Sequence, residues 1–339
     1  MLDLAFRLLL LAPSCLGDDS LVLKSGRRIG GHCQSADDTG LLFVDQRGRE
    51  LPLTWSQVRH LEKDGEAPDL FSAIAPPPPE GGYPGAGGYV GYRPPQDGEP
   101  GALTTGVSRW HHPGTDTTMF LIGAVHIGEA AYFRRLQRRL DQMDLVLYEG
   151  VKPGDSAGEL SPEDLRRLDT LTQLQLTLNR LLMLRFQKDG LNYNRNFWVN
   201  SDVNMTELQA ELDRQGATLP TDTPLFRILL KLIAGPLDIA AASPDPALSK
   251  RLRRQMAPVL ANVEKYSSLP QMRGFMNVVL HFRNQRVMRD LDLQLKSETG
   301  GRRLAIFYGS AHLPDFEVRL KETDWTYLGC TFIDAWVVH

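Results

Sequence analysis

Two apolar runs far apart in the chain stop in the same way. In "LIGAVHIGEAAYF" (121–133) and "LAIFYGSAHLPDF" (304–316), a β-rich run reaches a glycine, a histidine comes three residues later, and a helical pattern comes next. The residues are Gly123 with His126 and Gly309 with His312. With 30 glycines and 8 histidines in 339 residues, the spacing alone arises by chance about once, so the strand–histidine–helix context carries the inference. In a sheet of parallel strands, functional groups gather at the carboxyl ends, where the connecting loops meet. The repeated pattern therefore predicts one α/β sheet with both histidines at a single edge.

The segments around these runs extend that picture. "VSRWHHPGTDTTMFLIGAV" reads as a hairpin with a Pro-Gly turn, which puts His111 and His112 at the surface, far from His126. Residues 129–142 form an amphipathic helix and "DLVLYEGV" (144–151) a second buried strand, ending on Glu149. Strand, helix, strand implies a parallel crossover. Residues 161–298 read as helical. Ser161, Pro162 and Asp164 open a helix that Gly190 closes, Asn204 and Glu207 form a capping box, and Thr223 with Pro224 opens another helix. Two longer helices cover roughly 246–265 and 270–296. The strand pattern resumes at 302–312, a helix covers 314–322, and "WTYLGCTFIDAWVV" (325–338) ends the chain as strand. The expected fold is α/β (α+β), a mixed, largely parallel sheet interrupted by a large helical insertion.

The first hundred residues differ in kind. Residues 1–17 resemble an export signal, with an apolar stretch from Leu8 to Ala12, then small residues and a polar exit at Asp18. Cys15 offers a site for lipid attachment; without a signal, the chain would be cytoplasmic. Residues 18–64 alternate short β-rich runs with turn residues, as in a small barrel, and are similar to the SH3-like modules found beside export signals in bacterial proteins. His32 and Cys33, with no partners nearby, read as structural. Residues 65–105 are rich in proline and glycine and read as a linker, and "GAGGYVG" there has the wrong spacing for a dinucleotide loop.

Composition removes several functions. A formal charge of −3 gives no general grip on nucleic acid, and "KRLRRQ" (250–255) reads as a solvated helix face. There is no 18-residue apolar window, hence no expected transmembrane span. Three cysteines without a CxxC pair exclude a thiolate-rich zinc site and a disulfide scaffold, and leave Cys33–Cys330 as one conceivable bridge. A GxSxG elbow and an HExxH helix are both missing, against a serine triad and a zincin.

What remains is His126, Glu149 and His312, each at the carboxyl end of a strand run. Two imidazoles and a carboxylate are the ligand set of a hydrolytic metal site with one position open. The same order, Gly123-x-x-His126, Glu149 in "LVLYEGV", an Arg-Asn pair in the last helix of the insertion and Gly309-x-x-His312, resembles the TraB/GumN and TIKI-like superfamily, with its erythromycin esterase-like and ChaN-like members. The resemblance covers roughly residues 106–339. It implies site roles for His126, Glu149, His312 and Arg283, with Asn284 next in the chain. Phe282 stands where the family often has Glu, which keeps Arg286 open as the equivalent arginine. Glu129 and Tyr308 are secondary candidates, Glu129 in reach of the site or complementing its helix N-terminus. The resemblance implies a hydrolase of peptide, amide or ester bonds, assisted by a divalent ion (Zn, Mn or Co) held by His126, Glu149 and His312, with Arg283 facing the developing oxyanion. The alternatives are a metal-free esterase with a histidine base and a non-enzymatic module that binds peptide or heme.

Overall fold

The computed structural model describes residues 19–36, 40–54, 57–62, 88–96, 98–151, 179–217, 245–262, 273–297 and 301–339. It divides into two compact units, residues 1–76 with 134–144, and residues 77–133 with 145–339. The expected signal segment, the helix opening at Thr223 and the helix opening at Ser161 up to residue 178 lie outside the described residues.

The first unit holds a curled antiparallel sheet of β1 (Asp19–Leu23), β2 (Arg28–Ala36), β3 (Gly40–Asp45), β4 (Glu50–Thr54) and β5 (Val58–Glu62), in the order β4-β3-β2-β1-β5. Alternation puts Leu21, Leu41, Phe43 and Val58 on one side as a small core. Gly31 has φ +158, and a Cβ there would stand 2.0 Å from Val44 O, so the close strand approach requires glycine. Neither Cys33 nor Cys330 is in a disulfide, so the conceivable bridge between them is not formed.

The second unit is built on a seven-stranded sheet. Its strands are β6 (Val90–Arg93), β7 (Gly101–His112), β8 (Thr117–Ala124), β10 (Leu145–Tyr148), β12 (Trp198–Asn200), β13 (Arg303–Gly309) and β14 (Thr326–Val338). The order is β12-β10-β13-β8-β7-β14, with β6 also on β7. β9 (Ile127–Gly128) and β11 (Arg185–Phe186) form a separate small ladder. The pairs β12/β10, β10/β13 and β13/β8 are parallel, while β8/β7, β7/β14 and β6/β7 are antiparallel. The sheet is therefore mixed in equal parts rather than largely parallel. The helix α1 (Ala130–Leu140) lies in sequence between the parallel strands β8 and β10, and β13 slots between them.

Central β13 shows why this arrangement forms. Leu304 to Tyr308 is a continuous buried run, as a strand covered on both faces must be. Its register pairs Phe307 with Ile122 on one side and with Tyr148 on the other, and Gly309 with Ala124. The carboxyl ends of β8, β10 and β13 thus finish side by side.

Two expectations change. The last part of the Pro/Gly-rich span is not linker: β6 and the start of β7 fall inside 65–105, and Tyr89 is buried, its hydroxyl on Ser108 Oγ (2.8 Å) and Glu317 Oε2 (2.9 Å). A short edge strand tolerates such a composition because its pairing comes from the neighbour's backbone. The span 161–298 is not wholly helical either. The helix expected to run to Gly190 has ended by Met183, whose φ is +49, and β11, the short α2 (Gln187–Gly190) and β12 come next. After β12 come α3 (Met205–Arg214), capped reciprocally by Asn204 and Glu207, then α4 (Pro246–Leu260), α5 (Arg273–Met276) and α6 (Arg283–Ser297), and after β13 α7 (Leu313–Lys321). A π-helical stretch, Asn277–Phe282, joins α5 to α6.

Candidate functional site

The level strand ends bring four elements of sequence together. Glu149 comes directly after β10. Gly309 ends β13, and a 3₁₀ turn (Ser310–His312) carries His312 to the N-cap of α7. Arg283 enters from above at the start of α6, where the π-helical turn ends. Asp202 lies just beyond the end of β12.

Arg283 is the hub. Its Nε donates to Asp202 Oδ1 at 3.0 Å, and its Nη2 to Asp202 Oδ2 at 2.6 Å and Glu149 Oε1 at 2.9 Å. Nη1 is the least committed nitrogen, 3.4 Å from both Val279 O and His312 Nε2. A planar guanidinium suits this fork, because it can serve two carboxylates in one plane. Asp202 is itself fixed, its carboxylate accepting from the amides of Gly150 (2.9 Å) and Val203 (2.8 Å). Glu149 Oε2 accepts from the Gly309 amide at 2.6 Å. Burial opposes the charge on Glu149, yet His312, Arg283, His126 and the Gly309 amide hold its pKa at about 2. The carboxylate is ionised throughout the physiological range.

His312 is buried and oriented from behind. Its Nδ1 lies 2.7 Å from Asn284 Oδ1, while Asn284 Nδ2 donates to His312 O (3.0 Å) and Asp315 Oδ2 (2.9 Å). With the Asn284 amide held in that sense, its oxygen accepts from the ring, so Nδ1 carries the proton and the Nε2 lone pair faces Arg283 and Glu149 Oε1, the latter at 3.6 Å. Burial pushes its pKa down to about 4, against the pull of Glu149. The ring is neutral at pH 7. Asp315 is shared with Arg319 Nε (2.7 Å) and with half-exposed His281 (2.7 Å), so a hydrogen-bonded line runs from the surface to His312.

The glycines connect the two motifs. A Cβ on Gly123 would meet Ser310 Oγ at 2.7 Å, so the bare first motif makes room for a side chain of the second. Ser310 uses that room to donate to Ala124 O at 3.1 Å. A Cβ on Gly309 would press on Glu149 Oε2 at 3.2 Å.

These groups floor a cavity of about 470 Å³, within the usual range for small-molecule sites. His126, Glu149, Arg283 and His312 all line it, with His126 exposed at its rim. The wall is apolar, formed in part by Phe186, Met256, Leu260, Met276, Leu280 and Trp336.

The structure thus gathers His126, Glu149, His312 and Arg283. It distinguishes the two arginines: Arg286 faces Glu207 (3.7 Å) and Asp290 (3.5 Å) on a partly exposed helix face, and takes no part in the cluster. Glu129 is turned to other work, pairing with Arg253 at 2.9 Å. That pairing, with bonds from Arg253 to the carbonyls of Leu182 and Met183, draws one arginine of "KRLRRQ" inward from the solvated face. Tyr308 is buried, its hydroxyl donating to Ser201 O and its ring edge-on to His312 at 5.1 Å. Asp202 and Asp315 are additions that sequence reasoning missed. The signal for Asp202 was its place after a short β-rich run, "FWVNSD", inside a span read as helix.

The expected divalent ion meets a specific obstacle. Bonds near 2.1 Å need lone pairs aimed at a common point, and in this arrangement a guanidinium occupies that direction. Both Glu149 oxygens already accept hydrogen bonds, and His312 Nε2 faces Arg283. Among the described residues, no group of three His, Cys, Asp or Glu side chains stands in ion-holding geometry. As arranged, the donor set does not fit a divalent ion; Arg283 would first have to withdraw. Two of the three Arg283 nitrogens are engaged by carboxylates, which leaves Nη1, with its long 3.4 Å contacts, as the one that could face a developing oxyanion.

Among the described residues no helix is long and apolar enough to cross a membrane. Compared with known proteins, the chain matches no family model, no curated protein and no solved structure.

Proposed function

We propose that the chain is a hydrolase of ester or amide bonds that uses His126 as general base. The observation that carries this reading is the cavity itself, which joins an exposed imidazole to a rigid charged floor at the carboxyl ends of three parallel strands. His126 takes a proton from a water whose oxygen attacks the carbonyl carbon. Ionised Glu149 favours the imidazolium that results. Arg283 Nη1 supports the negative charge that builds on the carbonyl oxygen. Collapse breaks the bond to the leaving group, which receives the proton from His126, and the products are a carboxylic acid and an alcohol or amine. His312 keeps its proton on Nδ1 and presents its Nε2 lone pair to Arg283, which orients the guanidinium.

The resemblance to the TraB/GumN and TIKI-like superfamily supports hydrolysis through the same four residues. Its metal-assisted form would use His126, Glu149 and His312 as ligands once Arg283 turned aside. The test is hydrolysis of chromogenic esters and anilides before and after chelation. Activity should survive chelation and fall about a hundredfold or more in His126→Ala, the usual share of a general base. A wild-type rate no higher than that of a His126→Ala/Arg283→Met double variant would end the hydrolase reading. Loss on chelation, with more bound metal in wild type than in His126→Ala/His312→Ala, would replace the base mechanism with the metal one. In this reading residues 1–17 serve as an export signal and the five-stranded unit is an SH3-like module, which N-terminal sequencing of the mature protein from cell fractions checks.

A further inference from the structure

The cavity is two-sided, and the two sides want different chemistry. Its floor carries Glu149 and Arg283, with a second carboxylate, Asp202, buried behind the guanidinium, so two acids stand against one cation. Such a floor repels a carboxylate or phosphate on the ligand. Its wall is hydrocarbon and thioether, with Met256 and Leu260 from α4, Met276 from α5, and Val279 and Leu280 from the π-helical turn. A peptide lying there would bring an N–H and a C=O per residue against a surface with almost nothing to bond them, and each orphaned group is costly. An aliphatic chain brings none. Methionine pairs on a wall also adapt to irregular apolar shapes. One polar atom stands apart: Trp336 is fully buried, belongs to the wall, and its indole Nε1 has no hydrogen-bond partner among the described residues. Its indole is a fluorescent reporter within that wall.

We infer that the cavity takes the acyl part of a neutral ester or amide, with an aliphatic chain along the Met256–Met276–Leu280 wall and the carbonyl carbon held at the Glu149–Arg283–His312 floor. This inference rests on the hydrolase reading above and specifies its substrate class. The water oxygen bonds to the acyl carbon, the acyl–oxygen or acyl–nitrogen bond breaks, and a fatty acid leaves.

The experiment uses the full chain and two readouts. The first is kcat/KM for p-nitrophenyl acetate, butyrate, hexanoate and octanoate, compared with leucine and phenylalanine p-nitroanilides. Each buried methylene should add about three- to fourfold until the chain outgrows the cavity. Met256→Glu should lower the octanoate rate more than the acetate rate. The second is quenching or shift of tryptophan fluorescence on binding decanamide against sodium decanoate. The neutral amide should bind at least tenfold tighter, and Trp336→Phe should remove most of the signal. Ester hydrolysis that does not vary with chain length, or a clear preference for the aminoacyl anilides, would overturn the acyl assignment while leaving a hydrolase. Tight decanamide binding without hydrolysis of any ester would overturn the hydrolase reading while supporting the acyl pocket. Equal binding of amide and carboxylate would overturn the charge argument and, with it, the neutral substrate.

Discussion

The two Gly-x-x-His segments are alike in sequence and opposite in environment. At the end of β8 the ring of His126 is exposed on the cavity rim, and its backbone carbonyl accepts from Gln187. At the end of β13 the ring of His312 is buried, gripped by Asn284 and faced by Arg283. The difference comes from the path of the chain after each glycine. Beyond Gly123 it runs on into the small β9/β11 ladder; beyond Gly309 it tightens into a 3₁₀ turn that tucks the imidazole beneath α6. A shared pattern therefore supplies one exposed ring and one buried, fixed ring, and in the proposed mechanism only the first moves a proton. This division can be tested by stability as much as by activity.

The largest effect should come from Arg283→Met, which leaves Glu149 and Asp202 charged, buried and without their cation. A loss of about 3–5 kcal/mol in urea unfolding is expected. A loss below about 1 kcal/mol would mean the cluster is wet and loosely held. Next is pH. The pKa of His312 is lowered from 6.5 to about 4, so the unfolded chain binds its proton first, and the stability due to the neutral ring is complete above pH 6.5 and lost as pH falls toward 4. Glu149, lowered from 4.5 to about 2, adds a second loss below pH 4.5 in the same direction. Denaturation midpoints should fall between pH 7 and 4, with His312 contributing on the order of 3 kcal/mol, and His312→Gln should flatten the curve between pH 6.5 and 4. A midpoint that is flat in wild type would place the ring in water. Gly123→Ala comes third. Its methyl collides with Ser310 and Leu313, at an expected cost of about 1–3 kcal/mol and with lowered activity. The smallest effect separates the two histidines most clearly. His126→Ala should change stability by less than about 0.5 kcal/mol while removing hydrolysis, and Arg286→Ala should leave both nearly unaltered.

How much of this was legible in the chain depends on range. The strand ends could be read to within three residues, because the apolar runs lead to His126, Glu149 and His312 while the strands end at Ala124, Tyr148 and Gly309, and the capping box at Asn204 and Glu207 is a local signal. The hairpin of β7 and β8 and the final strand were legible for the same reason. Arg283 and Arg286 could not be told apart, since residues three apart on a helix share a face. Only packing against Asp202 and Glu149 separates them, and those partners lie 81 and 134 positions away. Asp202 escaped because β12 is three residues long and gains its identity from β10, not from its own pattern. The edge strand β6 was hidden by glycine and proline around it. Position along the sheet was written in the sequence; the partners of each charge were not.

The π-helical turn before Arg283 sets an angular reference for the whole cluster. Each residue of an α-helix advances about 100°, so a turn containing one extra residue shifts the direction of everything after it. Deleting a single residue between Asn277 and Phe282 would ease that turn into ordinary helix and make the segment more regular. It would also swing the guanidinium away from both acids, so a locally improved helix would yield a weaker protein with an empty hub.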